Sequence, residues 1–131
     1  MTTTPDDDIP ELHIGAVSLD CADPGELADF YGELLGMTRI VESPDARIVA
    51  ISDGTHTLAM MQVDGYVAPS WPDRGQQQQM HFDISVTDLD RAAARALSVG
   101  ARPAEHQPAP DLWRVFLDPA GHLFCLTTFG S

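Results

Sequence analysis

The stretch Met80-His81-Phe82-Asp83-Ile84-Ser85-Val86-Thr87-Asp88-Leu89-Asp90-Arg91, running on through residues 92–99 to Gly100-Ala101-Arg102-Pro103, decides the fold. His81, Asp83 and Ser85 alternate with Phe82, Ile84 and Val86, the period of two of a strand with one polar and one packed face. At Asp88 the period becomes helical. Asp88 is placed as an N-cap, Ala92, Ala93, Ala96 and Leu97 form an apolar stripe, and Gly100 stops the helix.

The same unit occurs 65 positions earlier. Asp23-Pro24-Gly25-Glu26 carries an N-cap, a proline at the first helical position and a glutamate placed for a capping box. Leu27, Phe30, Tyr31 and Leu34 follow at helical spacing, Gly36 ends the run, and the apolar segment 14–19 before it reads as a strand. An internal repeat of this kind sets the architecture. Applied to the opening strand, the offset sets His81 opposite Ala16, so the halves agree in scaffold and differ in chemistry.

Outward from the repeat, residues 1–10 read as a disordered tail. Residues 11–66 form a first module: strand 12–19, helix 24–35, then strands 38–41, 47–51 and 57–63, with Asp53-Gly54 as a hairpin turn. Residues 67–79, with Pro69, Trp71, Pro72, Gly75 and four glutamines, form a linker. Residues 80–131 repeat the order: strand 80–86, helix 89–99, a short strand near Arg102, and strands 113–117 and 123–128 around the turn Asp118-Pro119-Ala120-Gly121. The class is α+β, two βαβββ modules forming a concave sheet. A sheet with one helix layer leaves its other face open, so these faces must meet each other or a second chain, and a homodimer is expected.

The 131 residues bear a formal charge of −13, with 20 acidic residues against seven arginines and no lysine. Such a surface repels phosphate backbones and anionic lipid, which excludes nucleic acid and membrane as partners. No apolar run approaches the roughly 20 residues of a membrane span. Cys21 and Cys125 read as free thiols with no signal peptide before them, so the expected location is the cytoplasm.

The paired βαβββ pattern, the segment Leu19-Asp20-Cys21-Ala22-Asp23-Pro24 with Phe30-Tyr31 and Leu34-Leu35-Gly36-Met37, and the run Leu117-Asp118-Pro119-Ala120-Gly121-His122-Leu123-Phe124-Cys125-Leu126 resemble the vicinal oxygen chelate superfamily. That group holds glyoxalase I, extradiol dioxygenases and bleomycin-resistance proteins, and the chain looks most like its small bacterial glyoxalase-like branch over residues 12–129. The resemblance implies metal-ligand positions at Ala16, at Leu58 or Met60, at His81 and at Cys125. Alanine, leucine and methionine do not supply the hard donors such ions take, so no metal and no cofactor are expected.

His81 and Asp83 share one strand face about 7 Å apart along the backbone, which suits a general base or a hydrogen-bonding pair as well as a purely structural one. Asp83 has the alternative of pairing with Arg102 or Arg114. Trp71 and Trp113 are placed to stack on a flat ligand or to cap a small core. Met60 reads as core filler or as an adaptable wall. Ser18, Ser85, Gln79 and Cys125 complete the candidate ligand-binding set, and Cys125 with His81 forms a possible nucleophilic pair. His13, His56, His106 and His122 read as surface residues.

The resemblance, with the missing metal ligands, the tryptophans and the methionine, implies a metal-independent glyoxalase-like protein that binds a small, flat, mostly apolar molecule in the sheet cavity, of sequestration or resistance type. The alternative is a metal-independent lyase, isomerase or cyclase in which His81 and Asp83 move a proton. A third reading makes the open faces a dimer core without chemistry. Whether the chain is an enzyme stays open at this stage.

Overall fold

Asp23 and Asp88 cap equivalent helices. The Asp23 carboxylate accepts from the Glu26 amide at 3.1 Å and opens α1 (Pro24–Leu35); Asp88 accepts from the Arg91 amide at 3.1 Å and opens α2 (Leu89–Ser98). Gly36 takes the left-handed conformation, φ 70°, that ends α1. These features belong to a computed structural model, which describes residues 10–73 and 75–128. The expected tail lies outside the described residues except for Pro10.

Each helix follows one strand and precedes three. The first sheet holds β1 (Val17–Cys21), β2 (Thr38–Glu42), β3 (Ile48–Ser52) and β4 (Thr57–Gln62) in the order β1-β4-β3-β2. The second holds β5 (Phe82–Ser85), β6 (Arg102–Pro103), β7 (Trp113–Leu117) and β8 (Leu123–Thr127) in the order β5-β8-β7-β6. In both, the first strand pairs in parallel with the last and the other pairings are antiparallel. β1 starts at Val17 and not at Leu12, because its ladder with β4 begins at Val17–Leu58 and leaves Leu12 and Ile14 exposed.

Strand parity sorts the side chains as the alternation requires. Val17, Leu19, Phe82, Ile84 and Val86 pack toward the helices, against a core of Leu27, Phe30, Tyr31, Ile51, Ala96, Phe124 and Leu126. Phe30 and Tyr31 of α1 reach the second sheet, with ring centroids 5.9 and 6.2 Å from Phe124, and Tyr31 lies 5.7 Å from Phe82. The helix-covered faces of both sheets therefore share one core. Met60 belongs to it. The parallel register sets Leu19 beside Met60, so Met60 lies on the helix side, fully buried, and does not wall the open face.

A polar chain also joins the two halves. The Tyr31 hydroxyl donates to Asp118 Oδ2 at 2.6 Å, and Asp118 Oδ1 accepts from the Ala120 and His122 amides at 2.9 and 3.0 Å. His122 Nε2 lies 2.7 Å from the Asp20 carbonyl and 3.2 Å from the Tyr66 hydroxyl, which donates to the Ala120 carbonyl at 2.9 Å. His122 is thus a joint between modules and not the surface residue that its turn position implies. Burial pushes the Asp118 carboxyl up against the pull of its hydrogen bonds, and burial beside Asp118 holds the Tyr31 phenol well above its usual range.

Candidate functional site

The open face of the second sheet carries the chemistry. β5 and β8 run in parallel with Asp83 opposite Cys125, so both project to the same side, and His81, two residues before Asp83, joins them. His81 Nε2 lies 3.2 Å from Asp83 Oδ1. One donor atom from each of His81, Asp83 and Cys125 falls within 4.8 Å of the other two. Arg114 is engaged elsewhere, with Asp90 at 2.8 Å and the Pro110 carbonyl at 3.0 Å, which leaves the His81–Asp83 pair as the contact that forms.

These three residues line a cleft of about 830 Å³ with Ser85, Leu112, Trp113, Thr127 and Thr128. Val115 and Leu123 pack around Cys125 beneath it, with Trp71, Ala104 and Leu117 against them. The floor is apolar and sulfur-bearing, the polar groups converge at one wall, and Trp113, 37% exposed, stands at the mouth. Burial, followed by the charge of Asp83 and a hydrogen bond with it, pushes the Cys125 thiol up to about 11. Hydrogen-bonded to a carboxylate, Cys125 is a poor nucleophile at neutral pH, because the attacking species is the thiolate.

The other expected site residues divide. Trp71 is half-buried beside the floor, with its ring 5.2 Å from that of His106. Gln79 is exposed and does not line the cleft, since it lies three residues before β5 begins. Ser18 is exposed on the open face of the first sheet, paired in register with Ala59, and the cleft draws its lining from the second module alone. A further cavity of about 460 Å³ escaped the sequence reading. It lies where β1 and β5 approach, with Leu35, Met37, Val17, Leu58, Phe82 and Ile84 as walls and Asp53, Thr55, His56 and Asp83 at its polar edge. No periodicity signals it, since it is formed between modules.

The ligand set implied by the resemblance does not fit a hard divalent ion. Leu58 and Met60 point into the core, and the open-face neighbours on β4 are Ala59 and Met61. With Ala16 on the chain leading into β1, the first sheet offers no oxygen or nitrogen side-chain donor at these positions.

The fold has close counterparts among solved structures. A fosfomycin resistance protein, FosX, from Listeria monocytogenes, complexed with Mn(II) and 1S,2S-dihydroxypropylphosphonic acid, superimposes with a TM-score of 0.66 at 16% identity over 88% of this chain and 89% of that one. FosX from Mesorhizobium loti gives 0.66 at 19% identity over 88% and 90%. Lactoylglutathione lyase from Agrobacterium tumefaciens gives 0.61 at 18% identity over 94% and 100%. At these identities the likeness is one of fold. No curated protein matches the sequence. The family model of the glyoxalase-like domain matches residues 16–127, which takes in both helices and both sheets, and the chain therefore belongs to the glyoxalase-like domain family within the vicinal oxygen chelate superfamily.

Proposed function

We propose that the chain binds a small, flat, mostly apolar molecule, uncharged or cationic, in the cleft on the open face of the second sheet, without needing a metal ion. The observation that carries this reading is the His81–Asp83 contact at 3.2 Å beside Cys125 and Trp113, which puts a few orienting polar groups over an apolar floor. A formal charge of −13 without lysine disfavours an anionic ligand. Titrating a panel of aromatic metabolites against tryptophan fluorescence, in the presence of chelator, tests it. His81→Ala and Asp83→Ala should each weaken a bound ligand by about 1–3 kcal/mol through the polar partner left unpaired. Trp113→Ala should weaken it through lost stacking area. A ligand held as tightly by all three variants as by the parent places the site elsewhere.

The same contact supports a second reading, a metal-independent lyase, isomerase or cyclase in which the His81–Asp83 pair moves a proton. Turnover that survives chelator and disappears in His81→Ala selects it. The cleft is lined from one module, and the first sheet's open face exposes Val41 and Ser18 with Ile48 at its edge. A homodimer in which one copy's first sheet covers the other's cleft accounts for both. Among the described residues no helix is long and apolar enough to cross a membrane. The two free, buried cysteines suit a reducing compartment such as the cytoplasm.

A further inference from the structure

We propose that the slot of about 460 Å³ between β1 and β5 is a second binding site, and that its occupant is a primary alkylammonium ion. The inference begins with two sheet edges. β1 and β5 each stand at the end of their own sheet, in the orders β1-β4-β3-β2 and β5-β8-β7-β6, and each ladders with the last strand of its module. Among the described residues no ladder joins β1 to β5, and the slot is the space left between them.

The body of the slot is apolar. Met37 and Leu58 wall it from inside the core, while Val17, Leu35, Phe82 and Ile84 line it only half-buried. Val17, Leu58, Phe82 and Ile84 have the parity that packs toward the helices, so this floor lies on the side of the strands away from the Trp113 cleft. Gly15 keeps the entrance wide, since a Cβ added there would meet no atom within 4 Å. A hydrocarbon chain entering this space covers apolar side chains that folding leaves half in water.

Charge selects the head group. The polar edge carries the Asp53 and Asp83 carboxylates with Thr55 and His56, and no arginine lines the slot among the described residues. Asp53 Oδ1 accepts from the His56 and Thr55 amides at 2.7 and 2.9 Å, which holds its carboxyl below the usual range and keeps it anionic at neutral pH. The hairpin turn thereby fixes a negative charge at the end of an apolar slot. An ammonium brings three donors and a positive charge to this edge, whereas a carboxylate or phosphate head would meet two like charges. The formal charge of −13 without lysine acts in the same direction. Asp83 borders both cavities, so the two sites share one carboxylate while their floors lie on opposite faces of β5. The assignment does not depend on the cleft having a ligand.

The test uses the full chain with n-hexylammonium as probe, followed through the methyl signals of the five methionines, of which Met37 alone lines the slot. The Met37 methyl should shift and saturate at one ion per chain. From butyl- through pentyl- to hexylammonium, each added methylene should tighten binding about fourfold, the equivalent of about 0.8 kcal/mol. 1-Hexanol should bind roughly tenfold more weakly than the ammonium, the worth of a charge-assisted hydrogen bond, and hexanoate more weakly still. Asp53→Asn, which keeps an oxygen for the two turn amides and removes the charge, should weaken binding by about three- to tenfold. Gly15→Leu should fill the entrance and block it. Trp113→Ala alters the cleft and should leave the Met37 shift in place. No saturable shift at millimolar probe, equal binding of hexanol or hexanoate, or undiminished binding in both Asp53→Asn and Gly15→Leu overturns the proposal. So does loss of the shift in Trp113→Ala, which puts the probe in the cleft. A Met37 methyl that follows protein concentration and not the ammonium assigns the slot to a second copy of the chain and overturns it as well.

Discussion

Removing a single oxygen, Tyr31→Phe, tests what holds the two halves together. The aromatic ring stays, with its contacts to Phe30 at 4.8 Å, Phe82 at 5.7 Å and Phe124 at 6.2 Å, so packing is conserved. What disappears is the 2.6 Å hydrogen bond to Asp118 Oδ2, in a residue with no solvent exposure. Oδ1 keeps its two amide donors, and among the described residues Oδ2 is left with none. A buried acceptor stranded in this way costs about 1–3 kcal/mol, and the upper half of that range applies to an oxygen of a carboxylate. For a chain of this size that lowers the melting temperature by roughly 5–12 °C. Urea unfolding of parent and variant measures it, with an unchanged m-value showing that the same surface is exposed. A loss below about 0.5 kcal/mol would refute the claim that this bond ties the modules together. Asp118→Asn adds a pH arm. Burial raises the folded-state carboxyl above 3.8, so the proton favours the native state. Its contribution is complete below the unfolded value and is lost as pH rises through the folded one. The parent should therefore gain on Asp118→Asn as pH falls through that window, and the opposite slope contradicts the assignment.

Burial, the first cause in each case, pushes both thiols up to about 11, so neither is appreciably thiolate at neutral pH in the folded protein; alkylation should be slow there and fast in urea, and rapid modification of native Cys125 would contradict its hydrogen bond to Asp83. Gly121→Ala should destabilise by about 2–3 kcal/mol, since the backbone sits at φ 87° and the added methyl would meet Ala68 Cβ at 2.7 Å; wild-type urea stability would remove the close approach. Met60→Ala should cost about 2–4 kcal/mol of stability while leaving ligand affinity unchanged, and the reverse pattern would return Met60 to the cleft. Sedimentation at tens of micromolar should give a dimer, and a monomer would count against closure by a second copy.

The helices and the order of elements along the chain were legible because each rests on local signals: Asp23 and Asp88 as caps, Gly36 as a stop, and alternation around Phe82 and Ile84; the pairing of each module's first strand with its last was not, since no local signal carries it. Parity also placed His81, Asp83 and Ser85 on one face. Met60 was misplaced because the opening strand's parity does not carry to β4 without the register, and the register sets Leu19 beside Met60. Asp118 looked like an ordinary turn residue, since its partner Tyr31 is 87 positions away and no sequence pattern links them. Asp83 was visible as a neighbour of His81 but not of Cys125, which required the pairing of β5 with β8.

The closure of each sheet by its own first strand has a kinetic consequence. Val17 pairs with Leu58 and Phe82 with Phe124, so β1 and β5 gain no ladder until the last strand of their module has formed. Such pairing delays the reward for closing the chain, and mixed topologies of this kind fold more slowly than helical ones of equal size. During synthesis the first sheet can complete itself once residues through β4 have left the ribosome, whereas β5 must wait for β8, some forty residues further on. A nascent chain stalled before Leu123 would hold one finished sheet and one orphaned edge at Phe82–Ser85, and that edge is where aggregation or premature pairing with a second chain would start.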